Sequence, residues 1–492
     1  MQGRPGKRLD WITLVYGLGL TAFLLVVFGQ ATNAIYDYPV EFLLCFINGG
    51  LSIWGQLLSV RREASIHFIS FFFCFLFMSA APIVQFGAYN ATIFGVGHLA
   101  LWAAANALVF TSIGIFYTYR LKTPENEAKT PARRSVPPSG INYFLVFATT
   151  IFASATAIVL FRNVLFTSRT DFYDETLSIF GDAPTAMLAT TFLLSTPLFA
   201  AIIGLRASIA SRNAIWTILF SGACVMAAVP NNPVIQPRYQ LAGLAFFLID
   251  YMFYGKKTKA LVVLLIAGVL LGPAFQSFRH SDPTDQSSFS SDENKLVGET
   301  LLAMDYDAFS MSCYTVLTVE NDGISWGSNI VGAVLFFVPR ALWPGKPPPT
   351  SWVIYDMMSH FSDVRTDNLS TPLMAEGYYA FGWLGALGIG VLYWWLVSGV
   401  IEFSREKFDS WLFLFRCVFA GLVLIILRGT LTVGVSALAS YCVAAAIPLF
   451  LIRSRFGIPR SLASTPERHA STLRTRTKYS HSPVKSARLG GD

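Results

Sequence analysis

Charge is scarce in this chain. Only 13% of its 492 residues are Asp, Glu, Lys or Arg, against 54% hydrophobic and 15% aromatic, a composition that excludes an ordinary soluble domain. Cysteine is scarce as well and badly placed for cross-linking. Cys45, Cys74, Cys224, Cys417 and Cys442 fall inside apolar stretches, which leaves Cys313 alone in a polar region and excludes a disulfide framework. The six histidines are scattered, and no Cys/His spacing of the zinc-binding kind occurs, so neither a metal nor another cofactor is expected. A cleavable signal peptide is not expected either, because the first apolar stretch is long enough to stay as an anchor.

What the chain has in abundance is apolar length. About 20 apolar residues cross roughly 30 Å of hydrocarbon, and twelve windows qualify: 11–29, 39–60, 65–86, 92–119, 141–161, 185–205, 213–229, 241–254, 260–277, 372–403, 410–428 and 431–452. The expectation is an all-α, polytopic integral membrane protein of about twelve transmembrane helices, with residues 1–452 as a single transmembrane domain.

The net charge of +7 is topological and does not signal nucleic-acid binding. With the N-terminus inside, 26 of the 36 Lys and Arg lie in cytoplasmic segments and only nine outside, with Arg416 in a span. Basic residues in short loops stay cytoplasmic, so both termini are assigned there. Residues 120–140, with four prolines, read as a cytoplasmic linker, and 453–492 as a disordered basic cytoplasmic tail. The outer segments are acidic or neutral, as in "RTDFYDETLSIFGD" at 169–182.

The same parity makes 278–371 a large extracytoplasmic loop. Within it, "SNIVGAVLFFVP" at 328–339 is too short to span and reads as a re-entrant or interfacial segment. Upstream, Ser290 and Glu293 form a capping-box pattern. Val297, Leu301, Met304, Ala308, Met311, Thr315 and Val319 then fall on one helical stripe, which predicts an amphipathic helix lying on the membrane. Asp305 and Asp307 flank that stripe at the water–lipid boundary.

Three arginines from distant parts of the chain reach this outer boundary: Arg238 in "PNNPVIQPRYQ", Arg340 after the re-entrant run, and Arg428 in "LRGT". They stand on the side that the positive-inside bias disfavours. A planar guanidinium with forked donors suits phosphate or pyrophosphate, and the pyrophosphate commonly met outside a cell membrane belongs to a polyprenyl carrier lipid.

"FVPRALWPGKP" at 337–347, followed by "NLSTPLMAEGYYAFGWLGALG" at 368–388, resembles the paired signature of the bacterial Wzy-type oligosaccharide repeat unit polymerases. "NNP…PR" at 231–238, "DYDAF" at 305–309 and "RG" at 428–429 fall in the order expected of that family, so the resemblance covers roughly 230–430. Thr430 is a departure, since members often carry an acidic residue after the Arg-Gly pair. The resemblance implies a glycosyltransferase of the bacterial cytoplasmic membrane. Such an enzyme moves a growing glycan from polyprenyl pyrophosphate onto another lipid-linked repeat unit on the outer face. Its partners would be the polyprenyl-pyrophosphate-linked oligosaccharide, membrane lipid, and other polysaccharide-assembly proteins such as a flippase and a chain-length regulator.

That chemistry needs cations at the leaving pyrophosphate and a base for the acceptor hydroxyl. The expected pyrophosphate ligands are Arg340, Arg428 and Arg238, with Lys346 beside them. The expected bases are Asp305, Asp307 and Glu376, followed by His360. Trp343, Asn368 and Tyr378 are assigned to sugar contact, and Trp352 and Tyr379 have the aromatic faces to join them. A ligase using the same donor, or a transporter of the same lipid-linked sugar, are the alternatives. The transporter would need a path of polar groups deep in its spans, for which Asp250, Arg416, His67, His98 and Asn48 are the residues at hand.

Overall fold

The computed structural model describes residues 11–31, 36–122, 138–252, 262, 301–302, 306–360, 369–405 and 411–453, apart from 96, 98, 168, 181–182, 233 and 237. Every regular element among the described residues is helical: α1 Trp11–Gln30, α2 Pro39–Arg62, α3 Ser65–Phe75, α4 Ala81–Tyr89, α5 Ala100–Arg120, α6 Gly140–Leu160, α7 Arg169–Phe180, α8 Ala183–Ala210, α9 Ala214–Ala228, α10 Arg238–Met252, α11 Ala308–Asp322, α12 Ser328–Val334, α13 Thr350–Ser359, α14 Leu373–Arg405, α15 Trp411–Arg428 and α16 Leu431–Arg453.

Ten of these helical stretches are long and apolar enough to cross a membrane, and the chain is a multi-pass membrane protein. The expected count of twelve is not reached among the described residues. The window at 241–254 is occupied by the short α10, and 260–277 lies outside the described residues apart from Val262. The linker at 123–137 and the tail from 454 lie outside them too.

Packing is helix on helix. α2 lies against α3 and α5, α8 against α6, α9 and α16, and α15 against α10, α3 and α16. At one end of α15, Arg416 Nε donates to Asp250 Oδ2 of α10 at 3.1 Å with both side chains fully buried, and Ser65 Oγ of α3 donates to Asp250 Oδ1 at 2.5 Å. Charge in an apolar interior persists only when paired and hydrogen-bonded, so this cluster fixes three helices at one end of the bundle.

Two expectations about helices need correction. Among the described residues the expected amphipathic helix does not lie on the surface: α11 begins at Ala308, and Ala308 to Val316 are all buried. Much of its polarity is consumed internally. Ser312, Thr315 and Thr318 donate to the carbonyls of Ala308, Met311 and Tyr314 one turn back, so these three hydroxyls enter the core paired. Val297 and Met304 of the proposed stripe, and the capping-box residues Ser290 and Glu293, lie outside the described residues.

The window at 372–403 is not one straight span either. α14 breaks at Phe381 and Gly382, where Gly382 has φ 62° and ψ −142°, a conformation open in practice to glycine alone. The chain doubles back there. A Cβ on Gly377 would lie 2.5 Å from both Gly385 O and Ile389 Cγ2, although residues 377 and 389 would be about 18 Å apart along a straight helix. The short arm Leu373–Ala380 therefore packs against the long arm from Trp383, glycine against glycine. Gly382→Ala should destabilise the folded protein by about 1–3 kcal/mol, read as a lower unfolding temperature in detergent; an unchanged temperature would contradict the break.

Candidate functional site

The short arm of α14 opens the site. Pro372 starts the helix, accepting from the backbone N–H groups of Ala375 and Glu376 at 2.8 and 3.0 Å. Immediately before it, Ser370 N donates to Asp307 Oδ2 at 2.8 Å and Thr371 N donates to Arg428 O at 3.0 Å. Two consecutive backbone donors thus tie the start of α11 to the end of α15. The side chains close the same link, since Arg428 Nη2 meets Asp307 Oδ1 at 3.1 Å.

Asp307 is almost wholly enclosed, with 2% of its side chain exposed, whereas Arg428 keeps 21% exposed. Arg428 Nε is buried and finds no hydrogen-bond partner, and neither do the hydroxyls of Ser310, Ser370 and Thr371 around the pair. The guanidinium lies over the Phe77 ring, its Cζ 6.0 Å from the ring centroid. A cation with donors to spare therefore stands where α11, α14 and α15 meet.

Glu376 makes a second junction beside the first. Its side chain is 1% exposed and accepts three bonds: from Leu431 N at 2.8 Å, Asn329 Nδ2 at 2.8 Å and Thr350 Oγ1 at 2.5 Å. Leu431 is the first residue of α16, so a carboxylate sits at a helix N-terminus, where unpaired N–H groups and the helix dipole favour negative charge. Asn329 is oriented by Ser325 Oγ, which donates to its Oδ1 at 2.8 Å. Glu376 knots α12, α13, α14 and α16 together. Thr430 acts as a cap, its hydroxyl accepting from Val433 N at 3.3 Å.

The structure thus brings together Asp307, Glu376 and Arg428 among the sequence-expected residues. It does not bring Arg340 with them. Arg340 is exposed, and its Nη1 donates to Lys346 O at 3.0 Å. Lys346 Nζ in turn donates to Phe336 O at 2.7 Å and Val338 O at 3.1 Å. Partial burial, with the Arg340 charge, pushes the Lys346 ammonium below its ordinary pKa. The two cations close the 336–346 loop upon its own carbonyls, because the prolines around it leave those carbonyls without helical partners.

Trp343 is half-buried in that loop. Tyr378 is buried, with its ring 5.5 Å from that of Trp383 in an edge-on contact. Tyr379 O accepts from Ser325 N at 2.8 Å, Trp352 is exposed, and the exposed His360 has Nδ1 2.7 Å from Asp356 O. Asp305 and Asn368 lie outside the described residues, as does the side chain of Arg238 at the first position of α10.

Sequence reasoning missed Asn329, Thr350, Ser370 and Thr371. Asn329 is the lone amide in the apolar run at 328–339, and Thr350 follows directly on three prolines; both oddities were visible signals. Among the described residues, no three His, Cys, Asp or Glu side chains gather in metal-binding range. No family model, curated protein or solved structure matches the chain.

Glu376→Gln places an amide NH₂ against donors that need an acceptor. It should lower stability by about 1–3 kcal/mol, measured as detergent unfolding temperature, with Gln at the exposed Glu320 as the control expected to change nothing.

Proposed function

We propose that the chain is a glycosyltransferase of the bacterial cytoplasmic membrane, polymerising polyprenyl-pyrophosphate-linked oligosaccharide repeat units on the outer face in the manner of the Wzy-type polymerases. The observation that carries the reading is the Asp307–Arg428 pair. Both residues lie in stretches on which the resemblance rests, and the backbone of the third, "NLSTPLMAEG", binds both of them.

The roles follow from the chemistry. An acceptor sugar hydroxyl attacks the anomeric carbon of the donor while the bond from that carbon to the pyrophosphate oxygen breaks. The hydroxyl proton goes to Asp307, and the bonding electrons leave with the pyrophosphate. Asp307 becomes neutral on taking the proton, which releases the Arg428 guanidinium to the new negative charge on the leaving group. The half-buried cation exchanges one anion for another and is never left alone, which would be unfavourable. The unpaired Nε supplies a second donor for a forked contact. Glu376, already holding three donors, braces the site and is not the base in this scheme. The exposed Arg340, with the half-buried Lys346 beside it, can meet the anionic lipid headgroup as it arrives.

The bundle's polarity fits this orientation. Arg206 donates to the Tyr251 carbonyl and lies over the Tyr251 and Phe413 rings, next to the Asp250–Arg416 cluster, whereas Asp307 and Glu376 sit at the opposite end of α15. The basic end is the one assigned to the cytoplasm. A ligase would use the same donor site, and deletion separates the two: loss of a polymerase leaves single-repeat glycan, and loss of a ligase leaves long chains without their acceptor.

Arg428→Ala should abolish long-chain glycan. Arg428→Lys, which keeps the charge but loses the fork, should lower turnover about ten- to a hundredfold, the equivalent of one charge-assisted hydrogen bond. Arg340→Lys should lose much less, and Arg162→Ala, on an exposed residue outside the site, nothing. The readout is glycan chain length at matched membrane protein level; normal chains with Arg428→Ala would refute the assignment.

A further inference from the structure

The third crossing segment is not a continuous α-helix. Between α3 and α4, Leu76–Ala80 form a π turn, and Ala81 N donates back to Leu76 O five residues away. Such turns accommodate one extra residue and concentrate at functional sites.

This one is held from α2. Asn48, fully buried, donates through Nδ2 to Cys74 O at 3.3 Å and to Met78 O at 3.1 Å. Ser79 Oγ reaches back to Cys45 O at 2.7 Å. Gly49 provides the clearance, since a Cβ there would stand 2.5 Å from Ser79 Oγ. Amide, glycine and serine are fitted to one widened turn.

The consequence of the turn lies in register. Phe77 and Gln85, eight residues apart, would point about 80° away from each other on a regular α-helix, and the wider π turn removes most of that offset. Both in fact meet the segment that leads into Asp307. Phe77 stacks on Tyr306 with centroids 5.3 Å apart and planes at 29°. Gln85 Nε2 donates to Leu301 O at 3.2 Å and Tyr306 O at 3.1 Å. The Phe77 ring is also the one beneath the Arg428 guanidinium.

We propose that Asn48 is a positioning residue for the Asp307–Arg428 pair. By holding the π turn it sets Phe77 and Gln85 on one face; together they fix the approach to Asp307, and Phe77 backs Arg428. The inference rests on the reading of that pair as the reaction site, but its geometric half can be tested without it.

The geometric test is a cross-link between Val84→Cys and Leu301→Cys, which pack in one apolar cluster, formed in native membranes with Asn48 intact and compared with Asn48→Leu. The functional test is steady-state polymerisation of lipid-linked repeat units by the purified protein. Asn48→Leu should lose the cross-link and lower kcat about tenfold, the effect of losing one or two hydrogen bonds, with KM within about twofold because the residue touches no substrate. An unchanged cross-link overturns the proposal whatever the activity, and so does a lost cross-link with unchanged kcat. If Asn48→Leu does not accumulate in the membrane, Ser79→Ala removes a single hydroxyl from the same turn and should move both readouts in the same direction; no movement in either overturns the proposal. Normal glycan chains with Arg428→Ala would instead remove the reaction-site reading and leave the cross-link result standing.

Discussion

A guanidinium taken out of water must meet a carboxylate, and α15 has two of them to satisfy. Arg416 and Arg428 lie twelve residues apart on that helix, about 18 Å along its axis. Each is met by an acid from a different helix end: Asp250 from α10 and Asp307 from the start of α11. The placement of α15 is thereby fixed at both ends, and α3, α10, α11 and α14 are positioned relative to it through the partners of those acids. The two pairs differ in accessibility. Arg416 is fully enclosed, while Arg428 keeps part of its side chain exposed. A sealed pair can serve only the structure; a partly open one can also exchange its partner.

Around the open pair, the protein spends backbone irregularity where a ligand would need it. α14 folds back at Gly382, α12 is only seven residues long, and the third crossing contains a π turn. Each irregularity frees backbone groups that an apolar surrounding cannot satisfy, so each must be enclosed by polar side chains. Glu376 and Asn329 do this at the helix ends, and Asn48 does it at the turn. The two carboxylates of the site consequently divide the labour. Glu376 is saturated with donors and holds four helices, while Asp307 has one donor on each oxygen and faces the cation.

Much of this was legible in the sequence, and the misses have physical causes. Apolar length located the crossings, because lipid imposes a fixed thickness, and the scarcity of charge made Asp307, Glu376 and Arg428 conspicuous. Arg340 follows an apolar run, and nothing in a one-dimensional pattern shows that one of its donors would be used on the Lys346 carbonyl. α11 was misread as an interfacial helix because Ser and Thr off the apolar stripe count as polar, whereas Ser312 and Thr318 satisfy themselves on the carbonyl one turn back. The glycines at 377, 382 and 385 read as one long span, since hydropathy is blind to the sign of φ. Ser370 and Thr371 act through their backbone N–H groups, which leave no mark in a side-chain alphabet.

The central claim is that the partly open Arg428 is where the carrier's pyrophosphate binds. Its most direct measure is binding of a short-chain polyprenyl pyrophosphate to the purified protein, followed by native mass spectrometry, with the polyprenyl monophosphate as competitor. The account predicts that the wild-type protein binds the pyrophosphate in preference to the monophosphate and that Arg428→Ala, still folded, loses that preference. Equal binding and equal preference in the two proteins would contradict it.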